Sequence, residues 1–172
     1  LDSVIRGEIP KPIIILRSIV PSRDPGHLPG KLEEKIAIFE EPYRAICSEL
    51  TDMATSYDHL KRNEFIEFST TSYLRGLTFR DNIIIVDECQ NMSFSELDTV
   101  MTRVGQGCRV IFCGDFRQTD LKKEEDRSGL HKFMDVLKSM PSFESVEFTE
   151  DDIVRSGVVK EYLLAKIRKG IH

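Results

Sequence analysis

Asp87 and Glu88 stand side by side at the end of the run Ile83-Ile84-Ile85-Val86, and Asp115 follows a second apolar run, Arg109 to Cys113, through Gly114. Adjacent acids at a strand end suit metal-assisted phosphate chemistry. One carboxylate can hold Mg²⁺, often through water, while the other orients or deprotonates the water that attacks a γ-phosphate. Neighbours on a strand point to opposite sides, so the two acids are expected to divide these jobs: Asp87 for the metal, Glu88 for the water. Taken alone, the pair reads equally as two exposed acids at a strand end. Gln118 extends the pattern as Gly-Asp-x-x-Gln, and its amide can accept from water and donate to a phosphate.

These residues need a scaffold that brings them to one place. Ile83 to Val86 is too short for a helix and shows no alternation, which predicts a strand buried on both faces of a parallel sheet. Between the two apolar runs, Ser93 is a candidate N-cap with Glu96 closing a capping box. Leu97, Val100, Met101 and Val104 recur at helical spacing before Gly105. Strand, helix and strand make one parallel crossover, and ligands of such sheets sit outside the carboxyl ends of the strands. Asp87, Glu88, Asp115 and Gln118 are therefore expected along one sheet edge.

The motifs Asp-Glu-x-Gln-Asn and Gly-Asp-x-x-Gln-x-Asp-Leu resemble those of the PhoH-like ATPases, relatives of the core of superfamily-one helicases. Further matches are Arg17, Gly26 to Lys35, Tyr73-Leu74-Arg75-Gly76, Ser128-Gly129-Leu130 and Phe148 to Arg155. The resemblance implies one domain over residues 1–172 with a RecA-like α/β P-loop fold, a mostly parallel sheet with helices on both faces. It also implies ATP and Mg²⁺ as ligands and ATP hydrolysis as the activity. On this reading Glu88, Gln118 and Arg155 are catalytic, Asp87 binds the metal, and Asp87, Gly114, Asp115, Arg17 and Arg75 contact nucleotide. A guanidinium at Arg155 can stabilise charge on a transferring phosphate, and a salt bridge to Glu150, Asp151 or another acid on the same helix is the alternative. The hydroxyls of Ser69 to Ser72 and Arg75 suit a phosphate or a nucleic-acid backbone, or a polar turn. Departures from the family pattern are Ser18 where Pro is usual, a shorter following loop, Cys89 and Arg117. The loop change weakens any transfer of a role to Arg17.

Members of this family carry a phosphate-binding loop, Gly-x-x-x-x-Gly-Lys-Ser/Thr, ahead of the first strand, and these 172 residues contain no such segment. Leu1 to Gly7 reads as the end of a helix and Lys11 to Leu16 as the next strand. The expectation is an amino-terminally incomplete domain lacking the central strand and its loop, with the remaining strands flanking a gap.

Composition is that of an ordinary α/β domain, with 40% hydrophobic residues and a formal net charge of −5, which argues against a broad basic surface. Nothing suggests a membrane span or signal peptide, so a cytoplasmic protein is expected. The four cysteines show no Cys-x-x-Cys pair and read as packed thiols. Lys31 to Leu50 reads as two helical pieces interrupted by Pro42, and Phe65 to Phe68 as a strand. Ser128 or Asp126 can cap a helix through Met140, Ser145 to Phe148 reads as a last strand, and Val158 to Ile167 as a closing amphipathic helix after a Thr149/Asp152 capping box.

The first functional expectation is an ATP-hydrolysing domain linked to RNA or single-stranded DNA, with homo-oligomeric rings as its assembly. The alternative is a non-catalytic interaction or regulatory domain that has lost its loop. A nucleic-acid binding module is the third.

Overall fold

The computed structural model describes residues 11–18, 32–74, 76–115 and 124–170, with side-chain surroundings from Ile36 in the first helix and from Gly129 in the fourth. Four strands, β1 (Ile13–Arg17), β2 (Ile66–Thr70), β3 (Ile83–Asp87) and β4 (Arg109–Phe112), form one parallel sheet in the order β2-β1-β3-β4. The α-helices are α1 (Leu32–Thr51), α2 (Ser56–Arg62), α3 (Phe94–Thr102), α4 (Glu124–Lys138) and α5 (Gly157–Arg168). The α/β class, parallel sheet and two-sided cover read from the sequence are all present.

The unbroken apolar runs are explained by burial on both faces. Ile14 and Leu16 of β1 join Ile84 and Val86 of β3, Leu97 and Val100 of α3, and Leu130, Phe133 and Leu137 of α4 in one core. The alternate residues Ile13, Ile15, Ile66 and Phe68 pack with Cys47, Tyr57 and Leu60 in a second core under α1 and α2. Leu16, Ile84 and Val86 are fully buried. Their side chains are the pins of the sheet, since burying a Leu, Ile or Val contributes about 1.5–3 kcal/mol each. Phe133 closes the first core, edge-on to Phe112 at 5.1 Å and to Phe94 at 6.4 Å between ring centroids.

Three expectations change. α1 is a single helix of 20 residues with Pro42 inside it, not two pieces. Proline removes one intrahelical hydrogen bond, and the face carrying Phe39, Tyr43 and Cys47 against the second core holds the two halves in line. The strands do not flank a gap either, because β1 pairs directly with β3 in register from Ile13↔Ile83 to Arg17↔Asp87. Among the described residues the open edges lie instead on the outer sides of β2 and β4, and Ile111 of β4 is 42% exposed. Finally, Ser145 to Phe148 forms no strand, and Val146 and Phe148 lie 81% and 80% exposed.

Candidate nucleotide site at the strand exits

β1 and β3 end in register at Arg17 and Asp87, so a cation and an acid meet at the carboxyl edge of the sheet. Both lie on the face covered by α1. From that helix, Phe39 and Tyr43 stand four residues apart, one turn of the same face. The Arg17 guanidinium sits 5.8 Å from the centre of the Phe39 ring. The Tyr43 hydroxyl donates a hydrogen bond to Asp87 Oδ2, with its ring packed on Phe68 at 5.7 Å. Burial, and then the hydrogen bond to Asp87 and its charge, push the Tyr43 phenol well above its ordinary range, so it stays a donor.

Glu88 leaves the strand in the left-handed region at φ +52°, a conformation that costs a non-glycine residue about 1–3 kcal/mol. The expected alternation of the two acids across a strand therefore ends at Asp87. Glu88 caps the short 3₁₀ turn Cys89–Asn91, and its carboxylate lies 3.8 Å from Arg17 Nη2. Gln90 Nε2 donates to Glu88 Oε2 at 2.6 Å, and Gln90 Oε1 accepts from the Asp115 N–H at 3.3 Å. One buried amide thus ties the exit of β3 to the exit of β4. Gly114 is needed for that contact, because a Cβ there would lie 2.6 Å from Gln90 Oε1 and 2.8 Å from Cys89 Sγ.

A second polar junction lies on the other side of the edge. Glu96, in the first turn of α3, closes the capping box with Ser93 as its sequence predicts. Its Oε1 also accepts from Ser18 Oγ at 2.9 Å and Thr71 Oγ1 at 2.7 Å, while Oε2 accepts from the Ser93 N–H at 2.9 Å and hydroxyl at 3.0 Å. Burial pushes its carboxyl up, but the donors from Thr71, Ser93 and Ser18 together outweigh burial and hold it below the usual range. The chain leaving β1, the chain leaving β2 and the start of α3 are fastened to one carboxylate.

The structure thus gathers Arg17, Asp87, Glu88, Gly114 and Asp115 at one edge. Arg155 is exposed in the turn before α5, and among the described residues no hydrogen bond or ion pair joins it to Asp87, Glu88, Glu150 or Asp151. Gln118 and Arg75 lie outside the described residues. Sequence reasoning gave no role to Gln90, although it is part of the Asp-Glu-x-Gln motif, and missed Tyr43, for which the Phe39/Tyr43 helical spacing was the available signal. Cys89 is buried and its thiol is pushed up to about 12 by burial, then by neighbouring Cys113, which fits the packed-thiol reading.

Among the described residues no group of three or more His, Cys, Asp or Glu side chains could hold a metal ion. The carboxylates of Asp87 and Glu88 at the exit of β3 are the kind of ligand that Mg²⁺ takes one or two of, with water and substrate phosphates in its remaining positions. Among the described residues no helix is long and apolar enough to cross a membrane.

Comparison with known proteins gives the family of the chain. The family model described as PhoH-like protein matches residues 1–166. A PhoH-like protein of Bacillus subtilis is 32% identical over 162 residues, covering 92% of this chain and 49% of the relative. One from Mycobacterium tuberculosis is 36% identical over 146 residues, covering 83% and 40%, and the protein PhoH of Escherichia coli is 28% identical over 165 residues, covering 95% and 46%. The chain spans about half or less of the length of these relatives. With the parallel α/β sheet and the match over nearly its whole length, the chain belongs to the PhoH-like protein family.

Proposed function

We propose that this is a magnesium-dependent, ATP-binding and ATP-hydrolysing P-loop domain whose reacting edge is the exit of β1, β3 and β4. The observation that carries the reading is the chain of contacts from Arg17 through Glu88 and Gln90 to the Asp115 backbone, with Asp87 beside it. Asp87 would hold Mg²⁺ through one carboxylate oxygen, and the ion would supply charge neutralisation for the β- and γ-phosphates. Glu88 would orient the attacking water once nucleotide draws Arg17 away from it. Asp115 and Gly114 would border the phosphates, Gln118 would sense the γ-phosphate, and Arg155 and Arg75 would approach from their own segments. The phosphate cradle itself would come from a loop outside these 172 residues.

Coupling to RNA or single-stranded DNA, assembly into homo-oligomers and a cytoplasmic setting belong to the same proposal. Helicase kinship supports the first by analogy, and the net charge of −5 restricts any nucleic-acid contact to local patches.

ATP turnover by a longer polypeptide carrying a phosphate-binding loop tests the reading. Glu88→Gln should keep ATP binding and lower turnover about 10²–10⁴-fold. Unchanged turnover would refute the role of Glu88. A non-catalytic interaction domain is favoured instead by the open side of β4, and a folded longer polypeptide with no ATP binding would decide for it.

A further inference from the structure

Asp87 has one feature that its sequence motif does not account for. Its Oδ2 accepts a hydrogen bond from a tyrosine that arrives from a different element, 44 positions earlier in the chain. The phenol is carried by α1 and packs on the second core, whose Phe68 of β2 lies against its ring. A carboxylate that binds Mg²⁺ through one oxygen performs better when its other oxygen is held by a fixed donor. The donor sets its rotamer and removes the entropy of ordering it at the moment of binding.

We propose that Tyr43 is a positioning residue for Asp87, holding Oδ2 so that Oδ1 faces the magnesium ion of a bound nucleotide. The inference rests on the proposed magnesium–nucleotide site. It makes α1 a working part of that site, since the same helix face sets Phe39 beneath Arg17, the β1 partner of Asp87. A donor that competed with the metal would do the opposite and weaken binding, so the sign of the effect separates the two roles.

The test is calorimetric titration of the longer polypeptide carrying a phosphate-binding loop, and of its Tyr43→Phe, Asp87→Asn and Tyr162→Phe variants, with ATP, once with excess Mg²⁺ and once with chelator. Tyr43→Phe keeps the ring and its packing and removes only the donor. It should weaken Mg-ATP binding about tenfold, leave magnesium-free ATP binding unchanged, and unfold at nearly the wild-type midpoint. Tyr162, 64% exposed on α5, is the control and should bind as wild type. A Tyr43→Phe variant that binds Mg-ATP equally or more tightly, while Asp87→Asn loses it, would overturn the positioning role and leave the proposed site standing. Wild type and Asp87→Asn behaving alike, whether both bind or neither does, would overturn the site reading and this inference with it.

Discussion

The centre of the sheet and its β4 end received similar sequences and met different fates. At the β1-β3 centre, apolar runs lie under helices on both faces, and each strand is paired along both of its edges. At the β4 end, Arg109–Phe112 is partly covered, Ser145 to Phe148 makes no strand, and α5 carries an amphipathic sequence with no buried residue. Between β4, α4 and this segment lies an open groove of about 630 Å³ bordered by Gly114, Asp115, Met134, Lys138, Val146 and Phe148. The contrast shows that a free edge alone does not recruit a strand, since Ser145 to Phe148 leaves the open side of β4 unpaired among the described residues. The candidate site joins residues from β1, β3 and the exit of β4, while among the described residues Arg155 makes no hydrogen bond or ion pair with Asp87 or Glu88.

Mutations should reproduce the contrast. The largest loss is expected in the covered half: Leu16→Ala removes a fully buried side chain from the first core and should cost about 2–5 kcal/mol in urea unfolding. Gly114→Ala comes next, since its Cβ must displace Gln90 or Cys89. About 1–3 kcal/mol is expected, with the Glu88–Gln90–Asp115 link broken as judged by amide shifts of those residues. Glu96→Ala leaves the Ser18 and Thr71 hydroxyls and the Ser93 N–H without their acceptor and should cost about 1–2 kcal/mol. Glu96→Gln should cost less, because the two hydroxyls can turn to accept from the amide.

Glu96 also gives a pH signature. Its folded carboxyl is held below its unfolded value, so the folded state binds fewer protons. The stabilisation is fully present above the unfolded carboxylate pKa and is lost as pH falls through the folded one. Acid unfolding of wild type and Glu96→Gln should converge in that window, and parallel curves would show that the carboxylate contributes nothing. The smallest effect is predicted at the open end, where Phe148→Ala, 80% exposed, should stay within about 0.5 kcal/mol. A larger loss there would mean that this segment is packed in solution and that the two regions are less different than they look.

Most of the fold was legible because its signals are local. Unbroken runs such as Ile83 to Val86 announce strands buried on both faces, and Ser93 with Glu96 announces a helix start, all of which the structure contains. Ser145 to Phe148 misled because strand formation is a property of a pair, and the sequence shows only one member. Within the site, Asp87, Glu88 and Asp115 were found from their place after apolar runs. The left-handed turn at Glu88 was not, since Glu is not a residue whose type advertises positive φ. Tyr43, and the bonds of Glu96 to Ser18 and Thr71, depend on contacts between segments 25 to 78 positions apart, which no local pattern encodes.

The central claim is that nucleotide binds at the joined exits of β1, β3 and β4. Hydrogen exchange of the longer polypeptide carrying a phosphate-binding loop, with and without Mg-ATP, tests it most directly. The account predicts slowed exchange at residues 17–18, 87–91 and 113–115, abolished by Asp87→Ala. Slowing confined to Ser145 to Phe148 and α5, or unaffected by Asp87→Ala, would contradict it.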